Sequence, residues 1–247
     1  MGIWCDWEAQ GTRLSQNLLH DNQQPPFAKH LAGGMMSQDI FVEVSHGPTL
    51  IDNNILLSDA SLRIATQGVA MVHNLICGAL TNTGGGTGPR YTPYHMHHRT
   101  EVMGFMSVLH GDDRFYNNIF VQKWPSEDYV IHHDQSTATE PENRLVGTHV
   151  FDEYPTYDEW IAQFDFTQRA NMRALGPVHA AHLPVWCEGN VYLNGAKPCQ
   201  KEVNALSVED QDVFVELLEK DGQYVLNTNA YDKLKDFNSR MIHTDIL

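Results

Sequence analysis

Two carboxylates occupy the same position of a repeated pattern. Asp6, in GIWCDWEAQGTRLSQNLLH, lies 11 residues before Asn17, and Glu43, in DIFVEVSHGPTLIDNNILL, lies 11 before Asn54. Aligned on these asparagines the two stretches match without a gap: Gly11-Thr12 over Pro48-Thr49, Leu14 over Ile51, Leu18 over Ile55. Neighbouring strands of a sheet lie roughly 4.8 Å apart. Stacked in that way, the two carboxyls would come within roughly 5 Å, near the spacing of the nucleophile and acid/base in a retaining glycosidase, whereas inverting enzymes need a wider gap for water. Two like charges so close favour sharing a proton, which a leaving group can then take. Trp4 and Phe41, two residues earlier, are aromatic platforms suited to a sugar ring. The plain alternative is a solvated acidic ladder, although stacked like charges destabilise a sheet.

The elements that would hold this pair come from the repeat. Five segments share an asparagine followed by an apolar residue: Asn17, Asn54, Asn74, Asn118 and Asn190. A third copy, DASLRIATQGVAMVHNLIC, places Arg63 at the position of Asp6 and Glu43, as a cation beside Glu43 and a further candidate pocket residue. In the first strand of the three copies one set of alternate positions is apolar throughout: Ile3, Cys5, Trp7; Ile40, Val42, Val44; Ala60, Leu62, Ile64. The other set is polar and aromatic, as an outward face would be. Copies with a period near 20, each too small to bury its own face, predict a mainly β fold, a right-handed parallel β-helix built as a single-stranded solenoid. Asparagine tolerates the left-handed backbone region, and its amide can bond from one rung to the next, so the asparagines predict a turn ladder.

The reading is of one β-helix domain over residues 1–247, with insertions at 22–37, 81–99 and 124–184 and a C-terminal strand and hairpin extension at 205–247. Trp160, Ile161, Phe164 and Phe166 predict a helix within the longest insertion. Asp221-Gly222 marks the turn of the hairpin.

The net charge of −15 and the lack of a basic stripe exclude nucleic acid and disfavour a membrane surface. No apolar run reaches the roughly 18 residues of a membrane span, and the N-terminus does not read as a signal peptide. Four cysteines without a C-x-x-C pair read as free thiols, and a cytoplasmic location is expected.

GIWCDWEAQGTR, DIFVEVSHGPTLIDNNILLS, AMVHNLICG, TPYHMHHRTEV and GDDRFYNNIFV, with PVWCEGNVYLNGAKP further on, together resemble the catalytic β-helix of glycoside hydrolase family 120, the β-xylosidases, in the C-terminal portion of that family's chain. The resemblance implies a retaining, exo-acting β-xylosidase on short xylo-oligosaccharides that needs no cofactor. It implies that Asp6 is the nucleophile and Glu43 the acid/base. Tyr94, His95 and His98 fall in a motif implied to lie over the active site. Family members are longer, with rungs upstream. Preceding rungs or a partner chain are therefore expected to cover the first rung, and weak or no activity is expected of this chain without them. Residues 124–184 match nothing in the family.

His46, three residues after Glu43, is another candidate pocket group. His95, His97 and His98 form an H-x-H-H cluster of a kind that can bind metal, but a polar loop or substrate contact is the preferred reading and no metal is expected. A non-catalytic carbohydrate-binding or structural β-helix is the main alternative. A polysaccharide lyase is a second one, which the acidic charge argues against.

Overall fold

The computed structural model describes residues 1–6, 9, 11–23, 37–43, 45, 47–82, 110–123, 145–164, 167 and 182–243, and the backbone of two strands at 92–95 and 102–106. The first circuit of the chain contains β1 (Ile3–Cys5), β2 (Thr12–Ser15) and β3 (Leu18–Leu19). The second contains β4 (Gln38–Glu43), β5 (Thr49–Asp52) and β6 (Ile55–Leu56). The third contains β7 (Ala60–Ala65), β8 (Val69–Val72) and β9 (Leu75–Ile76). A fourth begins with β10 (Ala79–Asn82). It departs into an antiparallel pair, β11 (Thr92–His95) and β12 (Val102–Met106), and resumes with β13 (Asp113–Tyr116) and β14 (Ile119–Val121). The fifth has β15 (Val185–Glu188) and β16 (Val191–Leu193), and β17 (Leu206–Val208) adds a last strand.

Each circuit feeds the same stacks in turn. The strands run parallel in three sheets, ordered β1-β4-β7-β10, β15-β13-β8-β5-β2 and β17-β16-β14-β9-β6-β3. Parallel strands stacked in this way are consistent with the expected β-helix. The inward columns are the apolar ones: Ile40, Val42, Leu62 and Ile64 from the first sheet, Ile51, Met71 and Phe115 from the second, and Leu56, Ile76 and Phe120 from the third form one core. Burying each such side chain is worth about 1.5–3 kcal/mol. On the first circuit the inward residues Ile3, Leu14 and Leu19 are only partly buried, because the stack ends there among the described residues.

The five asparagines form the ladder read from the sequence. The side-chain amide of each donates to Oδ1 of the next: Asn17 to Asn54 at 2.9 Å, Asn54 to Asn74 at 3.0 Å, Asn74 to Asn118 at 2.9 Å, and Asn118 to Asn190 at 3.0 Å. The same Oδ1 atoms accept the backbone N–H of the preceding ladder asparagine. Asn190 ends the series on Glu202 Oε1 at 2.8 Å. The left-handed residue is not the ladder asparagine but the one before it: Gln16, Asn53, His73, Asn117 and Gly189 all have φ between 54° and 71°. That residue turns the corner, and the asparagine that follows secures it.

Residues 145–164 do not all lie outside the stack. Val146, Phe151 and Tyr154 join the core, and the 3-10 turn His149–Phe151 packs beside β10. The expected helix is α1 (Tyr157–Ile161), capped by Thr156 and Glu159; it is short, and Phe164 packs edge-on against Trp160 just beyond its end. β18 (Val215–Lys220) and β19 (Gln223–Thr228) form the expected hairpin. Its turn residues Asp221 and Gly222 have φ of 53° and 74°, as a tight hairpin turn requires. Val215, Leu217 and Leu226 of this hairpin cover the outer side of the third sheet around Ile55, Leu75 and Ile119.

Deleting the side chain in the middle of the ladder, Asn74→Ala, leaves several buried donors and acceptors without partners and should cost about 3–5 kcal/mol. Asn17→Ala, where fewer ladder bonds are made, should cost only about 1 kcal/mol. Urea denaturation of the two variants measures the difference.

Candidate active site

β1 and β4 pair in parallel with Ile3 opposite Ile40, Trp4 opposite Phe41 and Cys5 opposite Val42. Asp6 follows the last residue of β1 and Glu43 ends β4, so the register continued by one residue would set them opposite each other at the strand spacing of roughly 4.8 Å. Continued so, the two carboxylates would fall in one column on the outer face of the first sheet. Asp6 is exposed and Glu43 is buried. Glu43 Oε2 accepts a hydrogen bond from Trp4 Nε1 at 3.0 Å.

The next column of this face, two residues back, is Trp4, Phe41, Arg63 and Thr81. Trp4 stacks on Phe41 with ring centroids 5.9 Å apart, and the Arg63 guanidinium lies 5.0 Å from the centroid of Phe41. Phe41 is 1% exposed between them, so neither face of its ring is open to a sugar, in contrast to the platform expected from the sequence. Trp4 is 48% exposed and keeps a face toward solvent. The expectation of an outer face open to water holds for the first circuit only; Phe41, Glu43 and Arg63 are all enclosed.

Arg63 is not beside Glu43 in register. Ala65 is opposite Glu43, and Arg63 is opposite Phe41. Counting back from the ladder asparagine misplaces the third copy by two residues because its first corner is shorter. Five residues, 44–48, separate β4 from β5, but only three, 66–68, separate β7 from β8. The slip is even, so inward and outward faces are preserved, and the apolar alternation could not reveal it.

The corner after Glu43 is held by short polar side chains and a glycine. Ser45 N–H donates to Thr66 Oγ1 at 2.9 Å. Gly47 has φ +68°, and a Cβ there would meet the Gly68 carbonyl at 2.7 Å, so that corner admits only glycine without rearrangement. Of the remaining candidates, His46 and His98 lie outside the described residues. Tyr94 and His95 stand on β11, where His95 pairs with Val102 in the hairpin register. The second sheet contributes a pair missed in the sequence: Arg13 Nε and Nη2 donate to Asp52 at 2.8 and 2.7 Å and hold its carboxyl below the usual carboxylate range. Its signal was the strand register, which places Ser15 opposite Asp52 and brings Arg13 diagonally within reach.

At the other end of the site face, Asp39 is fully buried. Its carboxyl accepts from Asn22 Nδ2 at 2.7 Å and from Ser58 N–H at 3.2 Å, yet burial pushes its pKa up to about 6. Asp113, in the interior of the second sheet, is raised well above the carboxylate range by burial. His110 is moved the other way, to about 4, by burial. Among the described residues no three His, Cys, Asp or Glu side chains gather as metal ligands. The four cysteines are buried free thiols.

Parallel strands in stacked sheets, with two carboxylates in one outward column beside an indole, define a mainly β protein with a candidate acid pair. The chain is similar to XylC, solved in complex with xylose: 35% sequence identity and a TM-score of 0.67 over 91% of this chain. It spans 30% of the length of that chain. No model of a known protein family matches, and no curated protein sequence does.

Asp39 gives a pH test of this face. Its folded pKa is raised, so its contribution is fully present below about 3.8 and is lost as pH rises through about 6. His110 acts in the opposite sense over an overlapping range, so the variant Asp39→Asn isolates the effect. Relative to that variant, wild type should be about 1 kcal/mol more stable at pH 5 than at pH 7. Urea midpoints of both proteins at the two pH values measure this; a constant gap would remove Asp39 as the cause.

Proposed function

We infer that the chain is a xylosidase-like glycoside hydrolase of the family 120 type, built on a right-handed parallel β-helix and acting on short xylo-oligosaccharides with retention. The observation that carries this reading is the register of β1 on β4, which, continued one residue beyond Cys5 opposite Val42, would bring Asp6 opposite Glu43. The similarity to a xylose-bound structure supports a pentose as the recognised sugar.

In this reading Asp6, open to solvent on the first circuit, attacks the anomeric carbon, and the bond to the departing oxygen breaks. Glu43 gives its proton to that oxygen. The resulting glycosyl ester on Asp6 is then cleaved by water, whose proton Glu43 takes back. The exposed face of Trp4 is placed to stack on the sugar. Because the first circuit's inward residues are partly open, a covering rung or partner chain is part of the proposed working form.

Hydrolysis of 4-nitrophenyl β-xyloside by wild type, Asp6→Asn and Glu43→Gln tests the assignment. Each substitution should lower kcat by about a thousandfold or more, and azide should rescue small variants at the two positions to give xylosyl azides of opposite anomeric configuration. Equal rates in all three proteins would sink the reading in favour of a non-catalytic sugar-binding or structural β-helix.

A further inference from the structure

The indole of Trp4 is held from two directions. Its ring lies against Phe41, which in turn is backed by Arg63, and its Nε1–H points at Glu43 Oε2 across the strand pair at 3.0 Å. Trp4 and Glu43 are diagonal neighbours, Trp4 being opposite Phe41 two residues before Glu43. Diagonal neighbours in a sheet lie at a distance only a long side chain spans. Phenylalanine or tyrosine here could stack but has no N–H at the ring edge. An indole both stacks and donates, and it donates only.

That chemistry bears on which oxygen of Glu43 can carry a transferable proton. A carboxylic acid has one O–H and one carbonyl oxygen, and the carbonyl oxygen is the better acceptor. An N–H fixed on Oε2 therefore selects Oε2 as the carbonyl oxygen. We propose that Trp4 is a positioning residue for Glu43: its indole N–H holds Oε2 and so assigns the transferable proton to Oε1. This rests on the acid/base role of Glu43 given above. In glycosidic cleavage Oε1–H passes its proton to the leaving oxygen, the C1–O electron pair goes to that oxygen, and Oε1 becomes the anionic oxygen. In the second step Oε1 takes the proton of the attacking water. Oε2 keeps its indole partner throughout, so the carboxyl does not have to rotate between the steps.

Trp4→Phe keeps a ring on Phe41 and removes the donor. A residue that orients the acid matters most where the leaving group needs the proton. The loss in kcat/KM caused by Trp4→Phe should therefore be about tenfold or more greater for xylobiose than for 2,4-dinitrophenyl β-xyloside, whose phenolate departs without protonation. An equal loss on both substrates means a structural or sugar-stacking role only and overturns the proposal. A second measurement does not depend on turnover. In the NMR spectrum of wild type the Trp4 indole Hε1 resonance, assigned by its disappearance in Trp4→Phe, should lie downfield of its position in Glu43→Ala; coincident positions overturn the pairing. Wild type that turns over neither substrate but keeps the downfield resonance upholds the pairing and defeats only the glycosidase reading of this chain on its own.

Discussion

The asparagine ladder is the interaction on which the rest of this structure depends. Each corner leaves a backbone N–H from one circuit facing the next, and the stack buries these groups, so each must find a partner or cost about 1–3 kcal/mol. One amide per circuit resolves this. Its Oδ1 takes the backbone N–H and side-chain Nδ2 of the circuit below, and its own Nδ2 reaches the next Oδ1 and a carbonyl of the preceding circuit, as Asn74 does with Asn118 and Ile51. No other side chain of that length is both donor and acceptor in this geometry. Aspartate would accept but not donate, and leucine would do neither. The ladder also fixes where the strands on either side of it begin, and thereby the register of the second and third sheets, whose strands flank each asparagine.

The ladder has a direction, and its two ends differ. Every amide donates toward higher residue numbers, so the series can stop only on a group that accepts without needing to donate. Glu202 is that group. It takes both N–H groups of Asn190 on Oε1 and the Tyr192 hydroxyl on Oε2, while Thr148 bonds Tyr192 and Cys199 and ties the last circuit to the turn before it. Burial raises the Glu202 pKa despite these donors. On the first circuit Asn17 Nδ2 donates to the Ser15 carbonyl and to Asn54 Oδ1. The candidate acid pair lies on the first and second circuits. Within that pair Asp6 is exposed and Glu43 is buried.

Much of this was legible in the sequence because the two signals involved are strict. A buried amide ladder tolerates only asparagine, so five asparagines in matching contexts announced it. A sheet with one face in the core alternates with period two, so inward and outward sets separated cleanly. The errors came where these signals carry no information. Corner length between Glu43 and Thr49 and between Ala65 and Val69 differs by an even number, which leaves parity intact and moves Arg63 from one column to its neighbour. Burial of the outer face was likewise invisible, since Phe41 and Arg63 read as an exposed platform and cation until their stacking is seen. The left-handed corner residue escaped notice because it varies as Gln, Asn, His, Asn and Gly, each tolerated at some cost, while the invariant asparagine beside it drew the assignment.

The displacement of Arg63 changes the electrostatic argument about the site. An arginine in the same column as Asp6 and Glu43 would oppose keeping a proton on either of them, since a cation at that distance favours the ionised form. One column back, its guanidinium lies over the face of Phe41. Phe41 then separates Arg63 from Trp4 within a stacked set of three, and Ala65 rather than a cation flanks Glu43 in register. The shorter corner of the third circuit is thus what lets an arginine reinforce the aromatic stack without entering the acid pair's column. A two-residue change in an otherwise unremarkable turn decides whether that face carries two carboxylates with an indole or two carboxylates with a competing cation.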